Sequence, residues 1–178
     1  MLLALDINSR ATGFAFGDEK SSFPRSGTWT TPGCSDDDKL NRTVAALYNS
    51  ISEISKLIHP QIVLFEAPFN PQSKEKGETT HQAVVNLFRL EAVARTAGMN
   101  AGARIVKPIA VQTWRKTFCG HGRPENPKEA TQARCRLLGW KFNTEDEADA
   151  IGLWAHGMSA HFPRWAPKST PLFAGARA

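Results

Sequence analysis

The stretch from residue 39 to residue 66 constrains the fold more than any other part of this 178-residue chain. Leu40, Val44, Leu47, Ile51, Ile54 and Ile58 recur at alternating steps of four and three, which draws one apolar stripe down a long helix. Pro60 ends that pattern, and QIVLFE (61–66) follows as an unbroken apolar run, as expected of a strand buried on both faces. Upstream, LLALDI (2–7), ATGFAFG (11–17) and SFPRSGTWT (22–30) are short strand-like runs separated by polar turns, an antiparallel meander with Pro24 favouring an edge. A strand, a long helix and a second strand make a crossover unit, so 61–66 is expected to lie parallel within the sheet that the meander begins.

The remaining elements follow from caps and breakers. Thr79 with Gln82 suggests a capping box for a second long helix over 80–97. ARIVKP (103–108) reads as a last strand, and VQTWRKTF after it as a short helix. A Gly/Pro-rich loop covers 119–127. Asn126, Pro127 and Glu129 supply N-cap, N1 and N3 of a helix to about Leu138. Thr144 with Glu147 opens a final helix to about Gly157. The order βββαβαβααα fits one three-layer α/β domain. From Phe162 onward three prolines and no periodicity predict an extended or mobile tail.

Composition excludes several classes. With 41% hydrophobic and 22% charged residues the chain can bury a core without disulfides. No apolar run approaches the roughly 20 residues of a membrane span, and the N-terminus lacks the pattern of a signal peptide. Three cysteines without metal-ligand spacing read as reduced thiols of a cytoplasmic protein. The net charge of +5 is unevenly placed: residues 101–143 hold nine bases and two acids, and residues 144–149 hold four acids and no base. A basic block beside an acidic knot suggests a polyanion held next to an acidic site, although a solvated basic face and an acidic helix start would read the same way.

Four acids stand where acids are costly or aligned. Asp6 interrupts one apolar strand and Glu66 ends another, and an unpaired carboxylate in such a run is expensive to bury. Asp146 and Asp149 are spaced i, i+3 and face the same way, while Glu147 serves the cap. Singly, each has an ordinary explanation: Asp146 and Asp149 as first-turn acids, Asp6 as a turn cap, Glu66 as an ion-pair partner. Together they are carboxylates without a Cys/His set, which suits Mg²⁺ or Mn²⁺ and two-ion phosphodiester hydrolysis. Trp114 reads as core packing or, beside Arg115 and Lys116, as a base-stacking group, and His156 as a packed helix residue.

LALDINSRATGFAFG, IVLFEAPF and DEADAIGLWAH, with CGHGRPENPKEATQARCRLLG before the last, resemble in order the motifs of the RuvC family of Holliday-junction resolvases. The likeness runs from about residue 2 to 157. It implies an RNase H-like α/β fold, a mixed five-stranded sheet flanked by helices, in a nuclease domain over 1–160 followed by a tail over 161–178. By position, Asp6, Glu66, Asp146 and Asp149 match the family's catalytic, metal-binding acids, which implies two Mg²⁺ ions with Mn²⁺ able to substitute. Phe69 matches an aromatic that contacts bases at the junction centre. Lys116 and Lys128 match basic residues near the scissile phosphates, and Arg115 and Arg123 join them as DNA-binding candidates. The resemblance also implies a homodimer acting on four-way DNA junctions, with the second long helix at its interface, in the cytoplasm of a bacterial cell or a phage-infected host.

There are departures. Ile7-Asn8 replaces the family's usual Pro-Gly, a place where Asn could supply a left-handed turn. Pro-Glu-Asn-Pro is inserted before Lys128, which is closer to diverged phage and prophage members. Other readings stay open: a broader structure-selective nuclease for flaps, forks or RNA–DNA hybrids, and a non-catalytic junction-binding protein. An actin-like phosphate loop is suggested by Asp6 and Gly13, but the chain is short for two lobes and has no second phosphate motif.

Overall fold

The structure is a computed structural model, and it describes residues 1–68 and 81–165. The elements are β1 (Leu2–Ile7), β2 (Ala11–Gly17), β3 (Arg25–Thr30), α1 (Asp37–Ile58), β4 (Ile62–Glu66), α2 (His81–Asn100), β5 (Ile105–Ile109), α3 (Val111–Cys119), α4 (Pro127–Leu137) and α5 (Glu145–His161). The five strands form one mixed sheet in the order β3-β2-β1-β4-β5. β1, β2 and β3 pair antiparallel, and β4 lies parallel to β1 and to β5. The element order and the parallel crossover are those expected from the sequence. Pro24 stands just before the edge strand β3, where its missing N–H costs no ladder bond.

Side-chain alternation divides the core into two layers. Leu3, Leu5, Val63 and Phe65 face α1 and α2, where they meet Leu47, Ile51, Leu90 and Ala94. Leu2, Ala4, Ala15, Ile62 and Leu64 face the other way, against α3, α4 and α5. This phase fixes the chemistry: Asp6 continues the series Leu2, Ala4, and Glu66 continues Ile62, Leu64. Both acids therefore point to the α5 side, where the apolar layer ends. Leu5 pairs with Phe65 in the parallel register, so Asp6 and Glu66 stand side by side at the carboxyl ends of adjacent parallel strands. That position is the usual ligand crevice of parallel sheets.

The caps predicted for α4 and α5 are present, while Thr79 of the capping box predicted for α2 lies outside the described residues. Asn126 accepts from the Glu129 N–H, and Thr144 accepts from the Glu147 N–H. Glu147 accepts from Ser26 Oγ at 2.8 Å and from the Asn143 N–H at 2.7 Å, which turns it away from Asp146 and Asp149. α1 is capped by Asp36, and His59 closes it in the left-handed conformation.

α5 packs closely on the sheet and on α3 because glycines stand at the contacts, Gly13 and Gly157 toward the sheet and Gly152 toward α3. A Cβ on Gly157 would meet Leu2 and Leu64, and one on Gly152 would meet the Trp114 ring. At Gly13, paired with Asp6 across the β1–β2 ladder, a Cβ would overlap the Asp146 carbonyl. The first turn of α5 therefore rests directly on β2 beside Asp6.

Two expectations need correction. The segment from Phe162 was expected to be extended or mobile, but Phe162 packs against the core and Trp165 is buried within it. The Trp165 indole donates to the Ser21 carbonyl at 2.7 Å, and its ring meets Trp154 edge-on at 5.0 Å. Burial of that ring places 162–165 with the domain, and residues 166–178 lie outside the described residues. Asn8 was expected to supply a left-handed turn, yet His59 is the only described non-glycine residue with positive φ. The Asn8 side chain has a different role, described next.

Candidate active site

Three elements deliver the four acids. β1 carries Asp6, β4 carries Glu66, and the N-terminal end of α5 carries Asp146 in its first turn and Asp149 in its second. Asp6 is buried and Glu66 is partly buried, and with Glu91 of α2 they line a cavity of about 210 Å³. Asp146 and Asp149 do not line that cavity, but bridging side chains and electrostatics connect them to it.

Each connection is a specific hydrogen bond. The Asn8 amide donates to Asp146 Oδ1 at 2.8 Å and reaches Asp6 Oδ2 at 3.4 Å, joining the strand acid to the helix acid. The Trp114 indole N–H donates to Glu66 Oε2 at 3.0 Å, so this tryptophan is both a core residue and a holder of the site. Arg115 donates to Asp149 Oδ2 at 3.0 Å, with both side chains only 14% exposed, and its guanidinium lies over the Trp114 ring. A charge pair this sheltered is screened far less than a surface pair.

The electrostatics record carboxylates that are buried first and crowded second. Burial, and then the neighbouring Glu66, Asp149 and Asp146, push Asp6 well above the usual carboxylate range. Burial lifts Glu66 to about 7, against the opposing bond from Trp114. Burial also raises Asp149, against the opposing charge of Arg115. Such shifts gather where carboxylates have work other than stability.

These shifts have a consequence for stability. Glu66 binds its proton more tightly in the folded chain than at the ordinary value of 4.5, so its contribution is fully present below that value. It is lost as pH rises toward about 7. In chelator, thermal unfolding should therefore show stability falling across that window. Glu66→Gln should flatten the fall, and an unchanged slope would deny that Glu66 carries this charge strain.

The donor set suits a hard divalent cation. It offers only oxygen ligands, and Arg115 provides one positive charge against four carboxylates, the most buried of which has only a long bond to a neutral amide. Among the described residues, no three His, Cys, Asp or Glu side chains stand together as a ready-made ion cage. Asp146, Glu66 and Asp149 are each drawn to their own protein donor, as like charges are in close quarters.

The basic candidates lie around this centre. Lys128, at the start of α4, pairs with Glu145 beside Asp146, and that bond raises its pKa. Lys116 is exposed on α3. Arg123 is exposed and lies against the Gln112 amide, whose oxygen accepts from two guanidinium nitrogens at 2.8 and 2.9 Å when turned toward them. Arg115, expected to contact DNA, is turned inward onto Asp149. Phe69 lies outside the described residues. His156 is a packed helix residue that bonds Thr117 at 3.0 Å.

Sequence reasoning missed three residues that shape the site. Asn8 shares the phase of Asp6, two residues on, so strand alternation could have found it. Glu91 falls four residues after Leu87 on the face of α2 that packs inward, and an acid in such a stripe was a usable signal. Nothing in the spacing links Trp114 to Glu66, which lies 48 residues away. Trp114→Phe keeps an aromatic ring but removes the donor and some core volume, so it should slow any reaction at this centre about 10–100-fold and lower the melting temperature as well. A wild-type rate in single-turnover kinetics would make Trp114 only a core residue.

The fold is shared with solved RuvC structures. The Thermus thermophilus RuvC structure superposes with a TM-score of 0.66 at 15% identity, over 92% of this chain and 96% of that one. T. thermophilus RuvC in complex with Holliday junction substrate gives 0.69 at 17% identity, over 93% and 95%. The yeast mitochondrial Holliday junction resolvase Ydc2 aligns more loosely, with a TM-score of 0.46 at 12% identity over 94% of this chain and 81% of that one. No family model and no curated protein matches the sequence. The chain thus has the RuvC-type, RNase H-like α/β fold that its motifs suggest. Among the described residues, no helix is long and apolar enough to cross a membrane.

Proposed function

We propose that this chain is a divalent-cation-dependent endonuclease that cuts branched DNA, with four-way junctions as its principal substrate. What supports this reading is the pairing of Asp6 and Glu66 at the carboxyl ends of β1 and β4, with Asp146 of α5 tied to Asp6 through the Asn8 amide, on a fold shared with a RuvC solved in complex with Holliday junction substrate. Asp6, Glu66, Asp146 and Asp149 would hold Mg²⁺, or Mn²⁺ in its place, as one or two ions. Such ions supply Lewis-acid polarisation of a phosphate oxygen and lower the pKa of water. The chain's own residues do the rest. Trp114 and Asn8 orient the carboxylates, and Arg115 offsets part of their repulsion. Lys128 is placed to neutralise charge on a phosphate, with Lys116 and Arg123 binding backbone further out.

A homodimer suits the reaction, because two sites related by a two-fold axis meet two symmetric strands. Half-exposed Phe88 on α2 is a candidate for that interface. The test is a substrate panel: a four-way junction, a flap, a fork, a linear duplex and an RNA–DNA hybrid of matched sequence, each with Mg²⁺. Preferential cutting of the junction supports a resolvase. Equal cutting of flaps or hybrids would replace it with a broader structure-selective nuclease, and tight binding without cutting would indicate a junction-binding protein.

A further inference from the structure

A second and larger cavity, of about 600 Å³, adjoins the carboxylate cavity, with Asn8 and Leu87 lining both. The amide that holds Asp146 is therefore part of the wall between them. The character of the two spaces is opposite. The first is lined by Asp6, Glu66 and Glu91, whereas the described lining of the second holds Arg10 and Lys39 and no acid.

The walls of this groove are part polar and part apolar, and hydrogen bonds tie them together. Asn86 of α2 is 4% exposed, accepts from the Gln82 amide at 3.0 Å and donates to the Cys34 carbonyl at 3.3 Å. This bond ties α2 to the segment leading into α1. The Thr43 hydroxyl donates to the Gly33 carbonyl at 2.7 Å and fixes the same segment from the other side. Lys39 is held at the rim by Ser35 at 3.1 Å and by Asp36 at 3.3 Å. That exposed pair is weak, so a phosphate can compete for the ammonium. Arg10, in the turn between β1 and β2, is exposed and forms no ion pair among the described residues.

We propose that this groove seats one nucleotide of the substrate DNA strand next to the bond that is cut, with its phosphate between Arg10 and Lys39. The inference rests on the nuclease reading above and adds to it a strand path. Cations then flank the acids on two sides, Lys128 between α4 and α5, and Arg10 with Lys39 beyond Asn8. The volume lies within the range of small-molecule sites, about 300–1,000 Å³, and amides and hydroxyls share the lining with Pro32, Cys34, Ala83 and Leu87. A guanidinium matches the fork geometry of a phosphate.

The test is equilibrium binding of a fluorescently labelled four-way junction in chelator, across a series of salt concentrations. The Arg10→Ala/Lys39→Ala variant is compared with Lys20→Ala/Lys56→Ala, which removes the same charge from exposed positions elsewhere. Thermal melts confirm that both fold, and Arg10→Gln alone provides a milder variant. The groove variant should bind about tenfold more weakly, and the slope of log affinity against log salt should shrink by about 1, the value for one lost phosphate contact. Equal affinity and slope for the two double variants would overturn the proposal and leave the nuclease reading intact. A wild-type chain that does not bind the junction at all would remove the reading beneath it.

Discussion

Asp6→Asn should abolish strand cleavage, a loss on the order of 10³-fold or more, while junction binding persists. It should also stabilise the cation-free protein. Asp6 sits in an apolar strand beside three other carboxylates, and burial first, then their repulsion, holds its proton on well above the usual range. The amide keeps the shape and removes the charge. If about 1 kcal/mol of repulsion is relieved, a chain of this size melts about 2–4 °C higher. The signs of the two effects separate the possible roles. A structural acid that caps a turn or pairs with a base would lose stability on this change and spare catalysis. A carboxylate held in place for a cation should do the reverse. The check is a pair of melting curves in chelator beside single-turnover cleavage in Mg²⁺.

Gly13→Ala should be nearly as damaging, although residue 13 has no chemistry of its own. A Cβ there would run into the Asp146 carbonyl and the Glu147 N–H, which are backbone groups that cannot rotate aside. Either the first turn of α5 lifts from β2 or the strand bends away. Overpacking of this kind costs about 1–3 kcal/mol. The larger effect falls on function, because that turn carries Asp146 and leads directly into Asp149, and a displacement of about 1 Å at a reacting centre can cost 10²-fold in rate. The expected result is a folded, less stable protein with cleavage reduced about 10²-fold. Cleavage at the wild-type rate would show that the placement of α5 over Asp6 is not critical.

The strands and helices were legible because each carried a local signal. The 4-3 stripe of α1, the apolar run of β4, Asn126 and Thr144 all act within a few residues, and the structure has each where the sequence places it. Asp6 and Glu66 were readable singly, each as an acid in an apolar run, and the strand register that sets them side by side came from the structure. What escaped depends on contacts between distant segments. The bond from Trp114 to Glu66 joins α3 to β4, and nothing near either residue announces it. Asn8 was read for its backbone, because its resemblance partner is a glycine, while its function lies in an amide that reaches across to α5. The docking of Trp165 under Ser21 was hidden by a proline-rich stretch without periodicity, since one buried ring needs no repeat. Arg115 sits in the basic block that suggested a DNA surface, but burial and Asp149 turn it inward, and charge counting is blind to such a turn.

The most direct test of the central claim is nucleotide-resolution mapping of the products from a four-way junction labelled in turn on each strand, incubated with the wild-type chain and Mg²⁺. The account predicts nicks at symmetry-related positions on two opposing strands, absent in chelator and absent with Asp6→Asn. A junction that is bound yet remains intact in both Mg²⁺ and Mn²⁺ would contradict it.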